Sequence, residues 1–138
     1  VMTFEQKLDD VLEDDEGKKL ELYKCSGGFN TIGIGHNLDA KGISEAVCAL
    51  MLEEDRNEAI EDATGLVDNF ELLPDNVKIV LASMTFQMGK RGVSLFVNML
   101  RAVEMGDYET ASIEMLDSLW AKQTPNRANK LSRLMKEL

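Results

Sequence analysis

Disulfide staples, metal ligands and long apolar runs are all scarce in this chain of 138 residues. It holds two cysteines, Cys25 and Cys48, two prolines and one histidine. Two cysteines are too few to hold a domain of this length together, and they fit a reducing compartment. One histidine with two cysteines gives no four-ligand zinc set, so no metal or cofactor is expected. Gly33-Ile34-Gly35 lacks the third glycine and the following helix of a dinucleotide loop. No stretch approaches the roughly 20 apolar residues of a spanning helix, and no membrane insertion is expected. The start, Val1-Met2-Thr3-Phe4-Glu5, has neither the basic nor the apolar region of a signal peptide, which points to a cytoplasmic protein.

Positive charge is also short, with 15 Lys and Arg against 25 Asp and Glu and a net charge of −10. Nucleic-acid binding needs cations to neutralise phosphates, so this balance opposes it. The excess is local. Residues 1–65 carry 16 acids and 6 bases, whereas residues 66–138 carry 9 of each. Residues 119–138 hold five bases, Lys122, Arg127, Lys130, Arg133 and Lys136, against Glu137. Any electrostatic attraction to an acidic partner is therefore expected from the C-terminal part.

With 44% hydrophobic and 29% charged residues, the chain has the composition of one folded domain, with a monomer as the default expectation. Thr3-Phe4-Glu5-Gln6 is a capping box, and Phe4, Leu8, Val11 and Leu12 give an amphipathic helix that Gly17 stops. From Leu20 to Ile34 the period changes, with Ser26-Gly27-Gly28 as a turn, which predicts a small antiparallel sheet. Ser44 caps a long helix to about Ala63, with Val47, Leu50, Met51 and Ile60 inward. Every later segment is helical in pattern. Helices are predicted from Pro74 to a stop at Gly89, over 93–103, over 108–122, and from Thr124-Pro125 onward. The fold class is α+β, a small acidic lobe with a sheet joined by a long helix to a larger helical lobe.

Chemistry concentrates in Asp15-Glu16-Gly17, Tyr23-Lys24-Cys25 and Thr31-Ile32-Gly33-Ile34-Gly35-His36. An acid stands where a helix ends, a thiol at the next hairpin and a hydroxyl on the return strand. A carboxyl at the negative end of a helix macrodipole favours its protonated form, which suits a proton donor. Glu16 is thus a candidate general acid. Composition alone favours the plainer outcome, one more solvated acid in the run from Glu13 to Glu16.

These segments, with Phe86-Gln87-Met88-Gly89, Gly92-Val93 and Trp120 through Gln123-Thr124-Pro125-Asn126-Arg127-Ala128, resemble the phage-type lysozymes, family 24 of the glycoside hydrolases. The matches run in order over nearly the whole chain. The resemblance implies one lysozyme-like domain over 1–138, with a small lobe at about 14–65 and a helical lobe from 1–13 and 66–138. It implies a muramidase acting on peptidoglycan glycan strands at the β-1,4 bond between N-acetylmuramic acid and N-acetylglucosamine. The family's catalytic triad falls on Glu16, Cys25 and Thr31, with Cys25 where better-known members have Asp. Phe86 and Gln87 match residues lining the saccharide groove, with core packing the alternative for Phe86. Arg127 matches the arginine that pairs with the catalytic glutamate, and His36 is expected to pair with Asp55 in a structural role. Cys48 is expected to pack.

The corresponding expectation for biology is an endolysin held in the host cytoplasm until a separate holin opens the inner membrane. A virion tail-associated muramidase, or a wall-binding domain without catalysis, are the competing readings.

Overall fold

Helix α1, Phe4–Glu16, begins as the sequence predicts. The Thr3 hydroxyl accepts the Gln6 N–H, and the Gln6 side chain accepts the Thr3 N–H in return. Gly17, with φ 75°, ends the helix and sends its N–H back to the Glu13 carbonyl. These features come from a computed structural model, which describes residues 1–137. Leu138, the last residue of the expected domain, lies outside the described residues. Two compact units are present, Val1–Ala49 and Leu50–Leu138.

In the first unit α1 leads into a three-stranded antiparallel sheet in the order β1, β2, β3. Strand β1 is Lys19–Lys24, β2 is Asn30–Gly33 and β3 is His36–Asn37. Tyr23 pairs with Thr31, and Thr31 pairs onward with Asn37, so Thr31 sits in the central strand and is buried. The register slips between Lys19 and Tyr23, a β-bulge that fits strong local twist. Behind β3 Asn37 accepts the Ala40 N–H and caps a one-turn helix, α2, Leu38–Lys41.

Asp39 on α2 clamps the start of β2. Its Oδ2 accepts the Asn30 backbone N–H at 2.7 Å and its Oδ1 accepts the Asn30 side-chain amide at 3.2 Å. The backbone N–H, then the amide, and more weakly the Lys24 charge, hold the Asp39 carboxyl below its ordinary value. A carboxyl depressed in the folded state stabilises fully above its unfolded value, about 3.9, and loses that contribution as pH falls through the lower folded value. Asp39→Asn should therefore melt below the wild type at about pH 6, with the gap narrowing as pH falls below the ordinary carboxyl value of about 3.9. Thermal unfolding of the two proteins side by side checks this. A gap that stays constant with pH would remove the clamp from the account.

Helix α3, Glu45–Thr64, starts where Ser44 accepts the Val47 N–H, and the boundary between the two units falls within it. Its buried residues are Ala59 and Ala63. Val47, Leu50, Met51 and Ile60, expected inward, are exposed, because the small alanine face is the one that packs. Cys48, expected to pack, is likewise exposed.

The second unit is helical. A 3₁₀ turn at Phe70–Leu72 precedes α4, Asp75–Ser94, which buries Val77, Val80, Leu81 and Met84. The predicted stop at Gly89 appears as a kink with φ 76°. Helix α5 is Val97–Glu104 and α6 is Tyr108–Leu116. The single helix expected over 108–122 is broken, since Ser118 turns extended and caps a separate α7, Leu119–Gln123, by accepting the Ala121 N–H. Helix α8, Pro125–Lys136, buries Leu131 and Met135. One buried cluster from Ala63 to Met135 joins α4 to α8, with Trp120 edge-on to Phe96 at 5.9 Å.

Candidate active site

Glu16 is the last residue of α1, and its side chain is exposed. It lies against the turn between β2 and β3. A Cβ at Gly35 would stand 2.9 Å from Glu16 Oε2 and 3.0 Å from both Cδ and Cγ. This contact was not foreseen from the sequence, because nothing local to either residue signals it.

Cys25 follows β1 and is half-buried. A tight hairpin turn forms around it: its N–H donates to the Phe29 carbonyl at 3.0 Å, and its carbonyl accepts the Gly28 N–H at 2.8 Å. The backbone N–H groups of Phe29 and then Gly27 do most to hold the Cys25 thiol below its ordinary value, against the opposing effect of burial. The Thr31 hydroxyl and the Gly28 N–H add to them. Thr31 Oγ1 donates to the Phe29 carbonyl at 2.9 Å. Turned toward the sulfur, the same proton stabilises a thiolate, so Thr31 serves either state of Cys25. The structure thus brings Cys25 and Thr31 together.

His36 Nε2 lies 2.6 Å from the Gly42 carbonyl. A carbonyl only accepts, so Nε2 carries the proton and the ring ties β3 to the end of α2. Asp55, its expected partner, belongs to the other unit. There Asp55 lines a cleft of about 240 Å³ with Glu58, Asp62, Thr85 and Phe86. Phe86 is 48% exposed, so it is not a core residue. Gln87 beside it accepts the Trp120 indole N–H at 2.8 Å, fixing the amide with its oxygen toward Trp120. Arg127 donates through Nη2 to the Ser83 carbonyl and hydroxyl at 3.2 and 3.1 Å. A second cleft of about 300 Å³ is walled by Phe96, Met99 and Trp120, with Glu114 and Asp117 at its edge. Among the described residues no three His, Cys, Asp or Glu side chains converge to hold a metal ion.

The sequence pattern of the phage lysozyme family matches residues 13–136. Probable T4-type lysozyme 2 of Dictyostelium discoideum is 35% identical, with 90% of each chain covered. The pre-baseplate central spike protein Gp5 of Enterobacteria phage T4 is 29% identical over 91% of this chain and 27% of its own length. An endolysin of Acyrthosiphon pisum secondary endosymbiont phage 1 is 27% identical over 80% of this chain and 75% of its own. Coverage from the end of α1 to the end of α8 takes in the sheet, the thiol turn and both clefts. An α+β chain with that match belongs to the phage lysozyme family and is a lysozyme-type glycoside hydrolase.

Proposed function

We propose that the protein cleaves the β-1,4 bond between N-acetylmuramic acid and N-acetylglucosamine in peptidoglycan, with inversion, and that it acts as a phage endolysin. The observation that carries the assignment is the thiol turn. The buried Thr31 lies on the strand beside Cys25, and the N–H groups of Phe29 and Gly27 hold the Cys25 thiol below its ordinary value.

Glu16 donates its proton to the glycosidic oxygen as the C–O bond breaks through an oxocarbenium-like state. Water attacks the anomeric carbon from the opposite face, held by Cys25 and the Thr31 hydroxyl. In its thiolate form Cys25 accepts a hydrogen bond from that water and takes its proton as the new C–O bond forms. Phe86, from its half-exposed position, offers an apolar face to a sugar ring, and Gln87 is oriented beside it by Trp120. The exposed bases Lys122, Lys130, Arg133 and Lys136 attract the acidic wall. Access to the wall follows the action of a separate holin, with the monomer as the working form.

The phage T4 spike relative supports a second reading, a muramidase carried on the virion, and the Dictyostelium relatives support a setting outside phage. The chemistry is common to all three. Incubation with purified peptidoglycan should release new reducing ends, with the α-anomer appearing first by proton NMR. Anhydro-sugar ends would instead assign a transglycosylase. Sedimentation with the wall and no new ends would leave a binding domain.

A further inference from the structure

We propose that Gly35 is a positioning residue for the catalytic acid: the missing side chain in the turn between β2 and β3 fixes where the Glu16 carboxyl rests. The proposal builds on the role given to Glu16 above. The turn brings the Gly35 backbone onto the end of α1. A Cβ there would come within 2.9–3.0 Å of three successive atoms of the Glu16 side chain. Ordinary carbon contacts are about 3.5–4.0 Å, so the whole outer part of Glu16 must shift to admit a methyl group.

Glu16 is exposed and the atoms met are the outer ones of its side chain, so it is the side that yields, and the cost falls on its orientation rather than on the fold. Displacements of about 1 Å at a reacting group can cost about a hundredfold in rate. Gly33, two residues earlier and the last residue of β2, is the control for backbone conformation. Its φ is +72° against +66° at Gly35, but a Cβ there meets nothing within 4 Å. Alanine at either site carries the strain of a left-handed backbone. Only at position 35 does it also touch Glu16.

The test compares Gly35→Ala with Gly33→Ala in two ways. Carbon-13 NMR of the Glu16 carboxyl, assigned by its loss in Glu16→Gln, reads the surroundings of the acid without any substrate. Reducing-end release reads turnover. In Gly35→Ala the resonance should move and kcat should fall about tenfold or more, with KM held within about twofold. In Gly33→Ala resonance and kcat should stay near wild type. Matching resonances and kcat in the two variants would overturn the proposal.

If Gly35→Ala folds too poorly for either measurement, Tm in a Glu16→Ala background decides. Without the Glu16 side chain, the loss from Gly35→Ala should shrink to that from Gly33→Ala. A loss that Glu16→Ala does not relieve refutes the contact. Full activity in Glu16→Gln would instead strike the acid assignment, and the NMR comparison would still decide whether Gly35 sets the carboxyl.

Discussion

Glu16→Gln is expected to lower turnover on purified peptidoglycan by about 10²–10⁴-fold, the span that a positioned proton donor contributes. The amide keeps the size of the side chain and its place against Gly35 but has no proton to give at neutral pH. Substrate affinity should change little, so the loss falls on kcat rather than KM. Stability should move the other way. Glu16 ends α1 at the negative end of the helix dipole and closes the acidic run Glu13-Asp14-Asp15-Glu16. Removing one of those charges relieves about 0.3–1 kcal/mol of unfavourable interaction. The expected signature is a protein that melts slightly higher and cleaves far more slowly. Reducing-end release and thermal unfolding on one preparation read both. Turnover within about threefold of wild type would take the acid role away from Glu16.

That signature joins a feature legible in the sequence to one that was not. The start and end of α1 were readable because a capping box and a terminal glycine are local signals, set by residues within one turn. The hairpin was readable from Ser26-Gly27-Gly28. Strand β3 was not, since two residues carry no periodicity, and its pairing with β2 comes from register rather than composition. The break at Ser118 was hidden for a related reason. Leu116 and Leu119 continue a helical apolar pattern, yet both are exposed, and the capping hydroxyl of Ser118 prevails over the pattern.

At the site, Glu16, Cys25 and Thr31 were candidates by motif. The N–H groups of the thiol turn, the Asp39 clamp on Asn30 and the Gly35 contact were not found. Each joins residues whose identities carry no signature of the partner. Asn30 and Asp39 are ordinary turn residues until α2 places one over the other.

Alkylation of Cys25 is expected to stop turnover, with a fall of about 10²-fold or more, because the adduct fills the position assigned to the attacking water. The experiment uses a Cys48→Ser background, since Cys48 is exposed and reacts as well. The pH dependence of alkylation tests the environment of the thiol directly. The N–H groups of Phe29 and Gly27 favour the thiolate, so the rate should reach half its maximum below the ordinary thiol value of about 8.5 and return to it in urea. Thr31→Val removes the hydroxyl but leaves the backbone donors. Its half-point should rise yet stay below that of the unfolded chain, whereas Thr31→Ser should keep the wild-type value.

Cys25→Asp should remain active, because a carboxylate accepts the same N–H groups and holds water as a thiolate does. Cys25→Ser, neutral at every working pH, should fall between Asp and the alkylated protein. If Cys25→Ser matched wild type across the pH range, water would be held by Thr31 alone. A half-point at the ordinary thiol value would show that the turn does not tune the sulfur. The ordering Cys and Asp above Ser above adduct distinguishes an anionic acceptor from a group that only fills space, since a serine fills the space equally well.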